Sequence, residues 1–286
     1  MTNSRLPLLT SDSKPIHVIE PERRWAMAGL PELWRYRELL LFFIWRNILV
    51  RYKQTVLGLA WAILQPVFLM IVFTVAFGHL AKMPSNGIPY PVFAYAALLP
   101  WTFFAGSMTQ ASGSLTGSAS LLSKVYFPRL ALPIAAVLSA LVDFIPAFGV
   151  LIGLMVWYGR YPHLIALAVV PALLLLTLIT AVGAGLWLSA LAVRYRDVLY
   201  VVPFFVQLLL FATPVVYPAS LVGGTWHTVL GLNPMAGVVE GFRWSLLGSG
   251  PSPSWMLLPS ALVSLGLLVS GLAFFRRSER SFADVV

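Results

Sequence analysis

The residues in this sequence best able to do chemistry are few and scattered. Asp143 is the one carboxylate well inside a long apolar stretch, flanked by charge-free runs at 130–142 and 144–159. An acid at such a depth in hydrocarbon is expensive, and marks either a proton or ion pathway or a hydrogen bond to a neighbouring helix. No Lys, Arg or His within the expected spans accompanies it, and proton-driven carriers generally need several ionisable groups, so the hydrogen-bonding reading is the stronger one. Glu240 and Arg243 stand three residues apart, the spacing at which side chains meet across one helical turn; pairing would make their burial tolerable. The four His, at 17, 79, 163 and 227, give no metal-ligand spacing, and there is no Cys for thiolate ligation or disulfides. Neither a G-x-S-x-G elbow nor a G-x-x-x-x-G-K-[ST] phosphate loop occurs. The chain is therefore expected to be no enzyme, to hold no metal or cofactor, and to carry no ATP motor of its own.

The elements that must position these residues are set by where charge is missing. After Gln54 charge is absent from 54–81, 83–123, 161–193, 198–239 and 244–275, besides the two runs beside Asp143. With 59% hydrophobic residues, 10% charged residues and a mean hydropathy of +0.85, this is an integral membrane composition. A span needs about 20 apolar residues, and six segments qualify: 56–78, 91–111, 130–157, 164–192, 199–217 and 255–275. The net charge of +9 then has a topological job rather than a nucleic-acid one. With both ends cytoplasmic, sixteen of the nineteen Lys and Arg lie inside, and only Lys82, Arg160 and Arg243 lie outside. The first 29 residues have no apolar core, so a cleavable signal peptide is not expected. The expected organisation is a polar cytoplasmic tail at 1–29, an interface helix at 30–55 and a six-span transmembrane domain at 56–286.

Two stretches do not read as simple spans. In 30–53 the residues Leu33, Tyr36, Leu40, Ile44 and Ile48 share one helical stripe, while Arg35, Glu38, Arg46 and Asn47 take other faces. That pattern suits an amphipathic helix lying in the membrane interface. The stretch 214–250 is apolar but interrupted by Pro214, Pro218, Gly223, Gly224, Asn233, Pro234 and Gly237. Broken helices persist at membrane depth only where protein or water satisfies the freed backbone, so a re-entrant hairpin on the outer face is expected, with an ordinary outer loop as the alternative. The fold class is thus all-α, integral to the membrane.

Aromatic residues are the remaining signal. Trp157, Tyr158 and Tyr161 suit an interfacial belt. Trp61, Phe68, Phe204 and Phe211 lie within spans beside Gln65 and Gln207. Aromatic faces with occasional amides suit a passage for sugars, whose C–H faces stack on rings while their hydroxyls take hydrogen bonds; helix packing is the plainer alternative for each.

A set of short motifs carries a family resemblance. Arg51-Tyr52-Lys53-Gln54-Thr55-Val56-Leu57-Gly58, running on to Trp61-Ala62-Ile63-Leu64-Gln65-Pro66, resembles the opening of the permease subunits of polysaccharide-exporting ABC transporters. Matches follow in order at Leu99-Pro100-Trp101-Thr102-Phe103-Phe104, Lys124-Val125-Tyr126-Phe127-Pro128-Arg129, Arg194-Tyr195-Arg196-Asp197-Val198, Thr213-Pro214-Val215, Leu232-Asn233-Pro234-Met235 and Glu240-Gly241-Phe242-Arg243. The resemblance spans roughly 30–284. It implies an ABC-2 type permease of the cytoplasmic membrane, working as a homodimer with two copies of a separate ATPase subunit that binds ATP and Mg. The cargo implied is a lipid-linked glycan such as O-antigen, capsule or teichoic acid.

On that resemblance the first and fifth spans supply a conduit wall, with Trp61, Gln65, Phe68, Phe204, Gln207 and Phe211 as its candidate residues. Coupling to the ATPase is expected at Lys124, Tyr126, Phe127 and Arg129 in one inner loop and at Arg194, Arg196 and Asp197 in the next. An ABC-2 exporter of a drug or lipid is the nearest alternative. An ion-coupled secondary transporter is a more distant one, since it needs inverted repeats and midplane ionisable groups.

Overall fold

The computed structural model describes residues 33–53, 55, 57–122, 127–248 and 254–279. The described residues form helices and loops, with no strand among them. The α-helices of seven or more residues are α1 (Arg37–Tyr52), α2 (Ala60–Phe73), α3 (Tyr90–Gly113), α4 (Ala131–Ser139), α5 (Leu141–Trp157), α6 (Ala166–Arg194), α7 (Val198–Ala212), α8 (Thr225–Gly231), α9 (Pro234–Leu247) and α10 (Ser254–Glu279). The tail 1–29 lies outside the described residues, as do Lys124, Tyr126 and Arg280.

Among the described residues, five helices are long and apolar enough to cross a membrane: Ala60–Leu80, Tyr90–Gly113, Ala131–Trp157, Ala166–Arg194 and Trp255–Glu279. They match five of the expected spans to within a few residues. The chain is a multi-pass membrane protein. The first span is α2 widening into a π-helical stretch, Thr74–Leu80. The third joins α4 to α5 through a tightened turn, in which Ala140 N–H donates to Val137 O at 3.2 Å and Asp143 N–H to Ala140 O at 3.1 Å. The expected fifth span is shorter than 199–217: α7 has 15 residues, about 22 Å of helix at 1.5 Å per residue, and ends at Ala212. Pro214 has no N–H to extend the helix, and the carbonyls beyond the end are taken by another partner, described below.

α3 is the axis of the fold. Its sequence is apolar or small on every face, which suits full enclosure, and Val92 to Leu99 are essentially unexposed. It packs against α2, α4, α5, α6, α7 and α9. α6 and α10 form another tight pair through small residues, as membrane helices do when backbones must approach. A Cβ on Gly183 would stand 2.6 Å from the Leu268 nitrogen, and one on Gly271 would strike Gly183 O. Thr180 Oγ1 and Ser264 Oγ share a hydrogen bond at 2.7 Å, and Trp187 stacks on Phe274 at 4.0 Å between centroids.

α1 has two apolar faces rather than one. From the expected stripe, Leu33 is buried, Leu40, Ile44 and Ile48 are partly covered, with Phe43 beside them against α4, and Tyr36 alone is exposed. The stripe therefore looks into the protein. Trp34, Leu41, Phe42, Trp45 and Val50 are left uncovered on the far side.

Candidate functional site

Arg51 at the end of α1 reaches into a cleft that α1, α2, α3, α5 and α7 surround. Its guanidinium donates to Asp143 of α5 and to Gln110 of α3, with Ser139 Oγ at 3.5 Å. Asp143 thus has its hydrogen bond to a neighbouring helix, but the partner is a cation. The expectation that no basic residue accompanies Asp143 holds within the spans and fails for the fold, because α1 folds back along α4. In the sequence Arg51 counted among the cytoplasmic charges and opened the first family motif, without a place in the site. The available signal was Asp143 itself, an acid whose depth demands a counter-ion.

The cleft holds about 750 Å³, the size of a small-ligand site. Its walls mix rings and amides: Trp61 and Gln65 from α2, Trp101, Phe103 and Gln110 from α3, Phe144 from α5, and Gln207 from α7. The structure thus brings three of the six expected conduit residues, Trp61, Gln65 and Gln207, to one cavity. Phe68, Phe204 and Phe211 do not line it; they sit uncovered on the same two helices. A second cavity of about 660 Å³ lies between Trp101, Phe104, Phe205, Leu209, Tyr217 and Trp226, and its lining is almost wholly apolar.

The Glu240–Arg243 pair exists on α9 as the spacing predicts, at 3.1 Å. Sequence reasoning did not foresee its other partners. Arg243 is fully buried, its guanidinium 3.6 Å from the Phe93 ring centroid. It donates to Phe93 O at 3.2 Å, Pro214 O at 2.6 Å, Val215 O at 2.5 Å and Tyr217 O at 3.2 Å. Three of those carbonyls belong to the irregular chain just past α7, where helical partners are missing. Glu240 Oε1 also accepts from Ala219 N–H at 3.0 Å, and Asn233 Nδ2 donates to Thr213 Oγ1 at 2.9 Å. Arg243 lies outside the five long spans. Burial lowers its pKa to about 10 against the raising pull of Glu240, so it stays charged at neutral pH.

On the expected coupling side, Arg194, Arg196 and Asp197 are exposed together at the turn between α6 and α7. Arg129 Nη1 donates to Glu279 O at 2.8 Å, tying its loop to the end of α10. Phe127 is buried, its ring 5.2 Å from Phe43. It holds the loop to α1 and does not share the exposed surface of the second group.

The sequence of this chain has counterparts among known proteins. Residues 38–247 match the family model described as ABC-2 type transporter. The chain belongs to that family. It is 29% identical over 259 residues to the O-antigen export system permease protein RfbA of Myxococcus xanthus, covering 89% of this chain and 98% of that one. It is 26% identical over 249 residues to a protein of the same name from Klebsiella pneumoniae, covering 87% and 95%. With the polysialic acid transport protein KpsM of Escherichia coli it shares 24% identity over 237 residues, covering 82% and 92%.

Proposed function

We propose that this chain is the membrane-spanning permease subunit of an ABC transporter that exports a lipid-linked polysaccharide across the cytoplasmic membrane. The observation that carries this reading is the ring-and-amide cleft of Trp61, Gln65, Trp101, Phe103 and Gln207, set beside the uncovered aromatic faces of α2 and α7. A sugar hydroxyl left unpaired in an apolar medium costs about 1–3 kcal/mol, so a glycan needs a lined passage. The names of the relatives, O-antigen export permease and polysialic acid transport protein, support the same cargo class.

Two copies of the chain face each other across α2 and α7, placing Trp61, Gln65, Phe68, Phe204, Gln207 and Phe211 along a shared conduit. α7 serves as the fifth of six crossings, completed by the segment that Arg243 holds, and α8 with α9 forms the outer re-entrant unit. Both termini lie in the cytoplasm. The uncovered face of α1, with Trp34 and Trp45, rests in the membrane interface, where such rings are favoured.

Two ATPase subunits supply the energy, with ATP and Mg bound there. Arg194, Arg196 and Asp197 meet them directly, together with the loop carrying Lys124 and Tyr126. Phe127 and Arg129 pass motion from that loop to α1 and α10. The test is purification of the permease with its ATPase subunit and measurement of ATP turnover as the host's lipid-linked glycan is added. Stimulation is expected; turnover that ignores the glycan but responds to a drug or free lipid would point to another cargo.

A further inference from the structure

We propose that Arg51, Asp143 and Gln110 form a hydrogen-bonding sugar subsite at the floor of the cleft, through which the conduit first grips a glycan unit. The proposal rests on the glycan-export reading and adds to it a place and a set of residues.

Three observations converge on a sugar. First, the groups gathered there are the planar side chains able to bridge neighbouring hydroxyls: a guanidinium, a carboxylate, and the amides of Gln65, Gln110 and Gln207, all lining one cavity. Arg51 supplies donors in a fixed fork and Asp143 supplies acceptors, so the pair together can satisfy a hydroxyl in either role. Trp61 provides a ring face in the same cavity.

Second, the charges are matched. Arg51 and Asp143 lie in direct contact and are both only partly covered, with side-chain exposures of 25% and 30%. A phosphate entering this floor would have to displace a carboxylate already seated on the cation. A neutral hydroxyl meets no such competitor, so the lining suits the sugar portion of the cargo better than an anionic linkage.

Third, Asp143 is half used. Oδ2 accepts from Arg51, whereas Oδ1 is buried and receives no donor among the described residues. Buried carboxylate oxygens are normally satisfied. Here a modest shift of the side chain would turn Oδ1 toward a hydroxyl in the cleft while Oδ2 keeps Arg51. Ser139 and Gln110 hold the guanidinium through its other terminal nitrogen.

The sequence contains no Cys, which makes a single reporter thiol clean. In the full complex with its ATPase subunit, reconstituted in nanodiscs, Thr109→Cys places a thiol on the cleft wall. The probes are delipidated glycan from producing cells and inorganic pyrophosphate. Glycan should slow maleimide labelling and pyrophosphate should not. The charge swap Arg51→Asp with Asp143→Arg keeps an ion pair, so a purely structural pair would keep glycan protection intact. The subsite requires apparent affinity for glycan to fall about tenfold, as for loss of a charged hydrogen bond. Gln110→Ala, which leaves the ion pair in place, should weaken protection as well and serves if the swap does not fold. Unchanged protection in these variants, or protection by pyrophosphate in place of glycan, overturns the subsite. If glycan fails to protect while lipid-linked glycan still stimulates ATP turnover, the subsite is wrong and the export reading stands. Failure of both removes the export reading too.

Discussion

Arg51 and Asp143, 92 residues apart in sequence, meet in the cleft and join the helix before the first span to the middle of the third. Asp143→Asn would leave a partly covered guanidinium with weaker acceptors, and Arg51→Gln would leave a carboxylate without its cation. Each should lower stability by about 1–3 kcal/mol, below the figure for a fully buried pair. A double-mutant cycle read by thermal unfolding in detergent should give a coupling of about 1 kcal/mol or more; strictly additive losses would mean the contact contributes nothing.

Arg243→Lys keeps the charge but loses the fork that serves Phe93, Pro214, Val215 and Tyr217 together. Lysine has three donors on one nitrogen and cannot span those carbonyls. A loss of about 3–5 kcal/mol is expected, with faster proteolysis in 213–222. Wild-type melting and wild-type cleavage in the lysine variant would show that the segment past α7 holds itself.

Gly183→Ala would push its new methyl into the backbone of α10 at Leu267 and Leu268. Overpacking of this kind costs about 1–3 kcal/mol, and it must part α6 from α10. The pair Thr180→Cys and Ser264→Cys reports the gap, since their oxygens touch at 2.7 Å in the native chain. Disulfide yield between these cysteines should be high in the native background and should fall when Gly183→Ala is added. An unchanged yield would place the helix contact elsewhere.

Much of this fold was legible because hydrocarbon tolerates so little charge. The runs around 91–111, 130–157 and 164–192 could only be spans, and the structure returns helices over nearly the same residues. In the fifth run apolarity continues through Val215 and Val216, while the helix itself stops before Pro214, where Arg243 captures the trailing carbonyls. The Glu240–Arg243 contact was legible since it depends on helical spacing alone. The Arg51–Asp143 contact was not, because it depends on how α1 folds against α4. Nor was the burial of Phe127, whose apolar ring fits a partner's groove and the protein's own α1 equally well.

The topology gives a further check in the cysteine-free background. Lys82→Cys and Arg160→Cys should react with an impermeant maleimide on intact cells, and Arg196→Cys should react only after the membrane is opened. Both outer sites are exposed, as is Arg196, so the protein's own fold does not shield them. Labelling of Arg196→Cys from outside would invert the arrangement.

Transport in sealed liposomes decides whether this chain is a glycan conduit driven by a separate ATPase. The chain is reconstituted with and without its ATPase subunit, with lipid-linked glycan on the ATPase side, and glycan reaching the opposite face is measured over time. Movement is expected only when the ATPase subunit and ATP are both present, and it should fall when Trp61 or Gln207 is replaced by Ala. Movement by this chain alone, or ATP turnover in the complex with no glycan crossing, would contradict the account.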